Sequence, residues 1–176
     1  MSVCIKSLIK NMNIVVGCTI GCPYCYARNN CRRFHITDDF SVPEYMERKL
    51  RIIDTSRPHV WLMTGMSDFS DWKPEWNAEI FERISSNPQH AYHVTFEPLF
   101  DDIGEIDFDG IDWIVIGTET GNRKGKSYSR PEWVLSIAEQ AKAHGIPVFM
   151  KEDLLQIMGD ERMIQELPEQ FTIRIQ

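Results

Sequence analysis

Along this chain, short apolar runs alternate with stretches of helical period. NIVVG (13–17), HVWLMT (59–64), 90–96, WIVI (113–116) and 146–150 each run four to seven residues, and Gly65 and Gly117 follow two of them directly. That length and punctuation predict buried strands. Between them, 26–34, 43–53, 74–85 and 131–144 repeat apolar residues at three- and four-residue spacing. In 74–85 the stripe is Trp76, Ile80, Phe81 and Ile84; in 131–144 it is Val134, Ile137, Ala138 and Ala141, with Pro131 at the start and Gly145 as the stop. Both read as amphipathic helices. A last strand is expected over 171–175.

Strands alternating with helices predict a parallel sheet with right-handed crossovers, in one α/β domain over 1–176. About five to six strands suggest an open, TIM-like barrel with outer helices, too short to close at eight. In such folds the chemistry gathers at the carboxyl ends of the strands. That rule points to Cys18–Cys25, Gly65–Asp68, Glu97, Gly117–Glu119 and Lys151, which are expected to converge.

Composition narrows the classes. The 176 residues are 43% hydrophobic, enough for a core, and the net charge of −7 offers no bulk attraction to long duplexes or anionic membranes. Local basic patches stand out at Arg28, Arg32 and Arg33, and at Arg123, Lys124, Lys126 and Arg130. The N-terminal stretch lacks the apolar core of a signal peptide, and no segment matches a membrane span. A cytoplasmic protein is expected, in which clustered thiols bind metal or do redox work rather than form disulfides.

Four of the five cysteines lie in one stretch: Cys18, Cys22 and Cys25 in a C-x3-C-x2-C spacing, then Cys31. Cys4 stands apart. Three readings are open. Zinc would want a fourth protein ligand, and only Cys31 is near. A glutaredoxin-like dithiol would use Cys22-Pro-Tyr-Cys25 at a strand-to-helix turn. A [4Fe–4S] cluster would take three thiolates from the loop and leave one iron open. Cys31 is then either a hydrogen-atom donor or a small buried hydrophobe.

The spacing, with Tyr24 and Tyr26 flanking the third cysteine, resembles the radical S-adenosylmethionine (SAM) superfamily. GCTIGCPYCYA (17–27) is similar to the cluster loop of spore photoproduct lyase-like enzymes. HVTFEPLFDDI, GIDWIVIGTETG, RPEWV and HGIPVFMKE resemble successive blocks of a phage-associated radical SAM family. The resemblance implies Cys18, Cys22 and Cys25 as cluster ligands, with SAM chelated on the open iron. One electron would then cleave SAM to methionine and a 5′-deoxyadenosyl radical that abstracts hydrogen from a substrate, with a nucleotide or nucleic acid expected. It implies a flavodoxin or ferredoxin as electron donor, and SAM contacts at Tyr24, Ser67, Asp68, Thr118 and Glu119. Asp68 could equally cap a turn. Glu97 and Glu119 end apolar strands, where a carboxylate is costly unless it faces a ligand or a hydrogen-bond donor. Lys151 is either a site residue or a snorkelling surface lysine. The span from Gly65 to Glu97 is short for the family, so the barrel is expected to be trimmed by about one unit. A non-catalytic iron–sulfur subunit working with a partner is the remaining alternative.

Overall fold

The computed structural model describes residue 5 and residues 9–172, and these form a mixed α/β protein in two compact units, 9–90 and the described residues from 91 on. Cys4 and positions 173–175 of the expected last strand lie outside the described residues.

In the first unit, β1 (Ile9–Asn11) pairs in parallel with β4 (Val60–Leu62), Ile9 opposite Val60. The expected strand over 13–17 shrinks to β2 (Val15–Val16), because Asn13 adopts φ 45° and turns the chain between β1 and β2. β2 pairs antiparallel with β3 (Glu44–Tyr45). That pairing overturns the helix expected over 43–53: residues 44–45 are drawn into a ladder, the Met46 N–H donates to the Ile14 carbonyl, and only Glu47–Ile53 winds, as a 3₁₀ helix. Gly17 makes the close approach possible. Its φ is 115°, and a Cβ there would come within 2.8 Å of the Pro43 Cα. Helices α1 (Tyr26–Phe34) and α2 (Pro74–Ser85) stand as the periodicity predicts, α2 burying Ile80 and Ile84.

In the second unit, β5 (Ala91–Phe96), β6 (Trp113–Ile116) and β7 (Val148–Met150) run parallel in that order, with Ile114 opposite Val94 and Val148. The crossover from β6 to β7 carries α3 (Pro131–Ala143). Its stripe of Val134, Ile137, Ala138 and Ala141 packs with Ile114, Ile116, Val148 and Met150, alternate residues of two strands. Trp113, the odd-numbered neighbour, instead meets His93, Phe149 and Phe171. All four residues of β6 are therefore buried, as an internal parallel strand requires.

Helix α4 (Leu155–Met158) follows β7, after which Met150 N–H bonds the Ile164 carbonyl and Glu166 N–H bonds that of Val148. The edge of β7 is thus covered by residues 164–166, not by the expected strand at 171–175. Residues Glu169–Thr172 are instead the helical turn α5, whose Phe171 plugs the Trp113 side of the sheet. No described helix is long and apolar enough to cross a membrane.

Candidate functional site

The cysteine loop begins where β2 ends. Gly17 bridges to Ser67 and donates its N–H to the Met66 carbonyl at 3.0 Å, so the loop starts beside the turn that follows β4. Cys18 N–H bonds the Phe40 carbonyl at 2.8 Å. The next residue is clamped by Asp71, whose carboxylate accepts from Thr19 N–H at 2.8 Å and Thr19 Oγ1 at 2.6 Å. Burial, reinforced by Asp71 and Asp68, pushes the Cys18 thiol up to about 11, against a lowering from the Ile20 backbone N–H. It is a thiol at neutral pH, so a metal binding there must displace a proton.

The far end of the loop is tied to α1. Cys25 is its N-cap, and its sulfur accepts from Arg28 N–H at 3.4 Å. The Arg28 guanidinium reaches back to the Cys22 carbonyl at 2.9 Å. Tyr26 donates its hydroxyl to the Gly65 carbonyl at 2.6 Å, a second tie between the loop and the β4 turn. Cys18, Cys22 and Cys25 are free thiols and partly exposed; Tyr24, between the last two, is also partly exposed.

Cys31 differs. It lies one turn deeper on α1, 1% exposed, among Val16, Ala27, Phe40 and Met66. Burial pushes its thiol up as well. It fits the small buried hydrophobe of the two alternatives. A cleft of about 440 Å³ opens beside this loop, lined by Cys18, Thr19, Arg28, Arg32, Asp39 and Phe40 among others, with the buried Cys31 in its wall.

In the β4 turn, Asp68 Oδ1 accepts from Ser70 N–H at 3.0 Å and Ser70 Oγ at 2.7 Å, capping the 3₁₀ turn Phe69–Asp71. Ser67 Oγ accepts from the Trp72 indole N–H at 2.9 Å. Both residues therefore hold the turn together beside the cysteine loop.

A second constellation sits at the carboxyl ends of β5, β6 and β7. Lys151 donates to Glu97 at 2.5 Å and lies 3.6 Å from Asp153. Gly117 leaves room for this pair, since a Cβ there would meet both the Glu97 and Lys151 side chains at 3.0 Å. Burial raises the Asp153 carboxyl above its usual range, against the nearby Lys151 ammonium.

Glu119 is almost fully buried and grips Arg123 through two bonds of 2.6 and 2.7 Å, while also accepting from Ser127 N–H at 3.0 Å. The Arg123 bonds lower its pKa to about 2. Buried Thr118 accepts from Ser129 N–H and donates to the Ser127 carbonyl; Ser129 Oγ in turn donates to the Gly117 carbonyl and accepts from Leu99 N–H. Loop 120–130 is thereby closed onto the end of β6.

The structure thus gathers Cys18, Cys22, Cys25, Tyr24, Ser67 and Asp68 in one unit, and Glu97, Thr118, Glu119 and Lys151 in the other. Sequence reasoning passed over Asp71 and Asp153, and named Arg123 only as part of a basic patch. Asp71 carries no periodic signal, and the Glu119–Arg123 spacing, which resembles a helical pair, occurs in a loop. Among the described residues, no three His, Cys, Asp or Glu side chains stand close enough together to hold a metal ion as placed. The donor set nevertheless suits an iron–sulfur cluster in kind and number: three unbridged thiols within eight residues, on a loop that includes Gly21 at φ 75°.

Fold and site together define an α/β protein with parallel strands, a cysteine-bearing loop and charged strand ends. Residues 93–154 match a family described as "Protein of unknown function (DUF5131)". The match takes in Glu97, Thr118, Glu119 and Lys151 but stops short of the cysteine loop. No curated protein and no solved structure matches the chain.

Proposed function

We propose that this chain is a radical SAM enzyme whose Cys18, Cys22 and Cys25 hold a [4Fe–4S] cluster. The observation that carries the reading is the division among the cysteines: three free, partly exposed thiols share one loop, while Cys31 is packed in a small core. A zinc site using Cys31 as fourth ligand would have to draw on a side chain that is 1% exposed and packed with Val16, Ala27, Phe40 and Met66. The chemistry such a cluster supplies when bound is one-electron cleavage of SAM for hydrogen-atom abstraction from a substrate still to be identified.

The chain's own part is positioning. Arg28 and the Cys25 cap fix the loop on α1, and Tyr26 fixes it against Gly65. Ser67 and Asp68 offer oxygen acceptors for the SAM ammonium from a turn already ordered by its own hydrogen bonds. Within the other unit, Lys151 pairs with Glu97, and Thr118 and Glu119 order loop 120–130. The reading implies an open TIM-like barrel trimmed from the full radical SAM core, a cytoplasmic setting and a flavodoxin- or ferredoxin-like donor.

Anaerobically reconstituted protein should carry about four irons and four sulfides per chain and, once reduced, convert SAM to 5′-deoxyadenosine. One tightly held zinc with no iron would sink the reading. A full cluster without SAM cleavage under reduction would favour the non-catalytic iron–sulfur subunit.

A further inference from the structure

Loop 120–130 carries Arg123, Lys124, Lys126 and Arg130 and no carboxylate, in a chain whose net charge is −7. Of these cations only Arg123 is consumed, by Glu119. Arg130 stands 4.0 Å from Glu132, with both side chains about two-thirds exposed, a weak pairing in water. Lys124 and Lys126 make no ion pair with any described residue.

Aromatic rings are interleaved with the cations. The Lys126 ammonium lies 5.3 Å from the centre of the Tyr128 ring, and the Arg130 guanidinium 4.9 Å from that of Trp133. Tyr128 is still 56% exposed. An exposed tyrosine with a lysine ammonium over its ring is a surface that can take a π-stacking, anionic ligand.

The loop is also built. Glu119, Thr118 and Ser129 pin its two ends through the bonds given above, so the cations and the ring are presented from an anchored base.

We infer that loop 120–130 binds single-stranded nucleic acid, with Lys124, Lys126 and Arg130 on phosphates and Tyr128 stacking on a base. Cations flanking one exposed ring are what a single strand needs: charge that follows the backbone, and a π face for an unpaired base. A duplex hides its bases and would lay a long run of phosphates against an otherwise acidic protein. The inference does not rest on the cluster, because every residue it uses lies outside the cysteine loop.

The test is fluorescence anisotropy of labelled twelve-nucleotide dT and rU strands with the full-length protein. Binding to at least one strand is expected, with a slope of about −2 for log affinity against log salt, as about three phosphate contacts give. K124E/K126E should weaken binding at least tenfold. Tyr128→Ala should weaken it about five- to a hundredfold, as loss of one stacked base does. Lys142→Glu, a Lys-to-Glu change placed on α3 instead, should leave it within about twofold.

No binding to either strand would overturn the inference. So would wild-type affinity in both loop variants, an equal loss in Lys142→Glu, or tighter binding to the matching duplex or to phosphatidylglycerol vesicles. Circular dichroism of each variant identifies any loss that comes from unfolding, and Tyr128→Phe, which keeps the ring, should restore binding if stacking is the cause.

Discussion

At the scale of single residues, the four described cysteines divide by surroundings rather than by spacing. Cys18 and Cys25 border the small core that encloses Cys31, yet only Cys31 is buried within it. Single replacement of Cys18, Cys22 or Cys25 by Ala should therefore abolish bound iron, whereas Cys31→Ala should retain it and cost stability instead. Removing a buried sulfur of this size should lower the unfolding free energy by about 1 kcal/mol. Iron and sulfide assays with urea denaturation separate the two effects. A full cluster in Cys18→Ala, with thiol-exchange activity confined to Cys22 and Cys25, would return the chain to the glutaredoxin-like reading.

Among the elements, α3 shows how far local pattern determines tertiary contact. The stripe legible in the sequence is the stripe that packs, because a helix with Pro131 at its start and Gly145 beyond its end has only one apolar face to bury. Ile137, 1% exposed, sits in that face. Ile137→Ala should cost about 2–5 kcal/mol, visible as a lower denaturation midpoint with an unchanged slope. The segment 43–53 went the other way. Its helical spacing lost to pairing with β2, since the buried strand Val15–Val16 needs hydrogen-bond partners and the chain at 44–45 supplies them. A short helix of modest propensity does not compete with that.

For the whole molecule, acid stability follows from how its carboxylates are held. Glu119 has its pKa lowered to about 2, chiefly by Arg123, from a usual value near 4.5. Its contribution to stability is accordingly complete above about pH 4.5 and is lost as pH falls through 2. Glu119→Gln should be less stable than wild type at neutral pH, and the gap should narrow as pH drops from about 4.5 towards 2. Denaturant unfolding at several pH values measures it. A gap independent of pH would mean that shape, not charge, holds loop 120–130.

By itself the sequence determined the α/β class, the helices expected over 26–34, 74–85 and 131–144, the strands expected over 59–64, 90–96, 113–116 and 146–150 to within a few residues at their ends, and a cysteine loop of three thiols. These depend on periodicity and on covalent spacing, which are local and need no knowledge of partners. Only the tertiary structure decided that β2 pairs with β3, that residues 164–166 cover β7, and that Asp71, Arg123 and Asp153 belong to the two constellations. It also decided that Cys31 is a core residue and that Asp68 caps its own turn. Each of these rests on a contact whose partner lies elsewhere in the chain or in a loop without period: Asp71 lies 52 residues from Thr19, and Lys151 lies 54 from Glu97. Spacing along a chain records which residues share a face; it does not record which distant backbone leaves a hydrogen bond or a charge to be met.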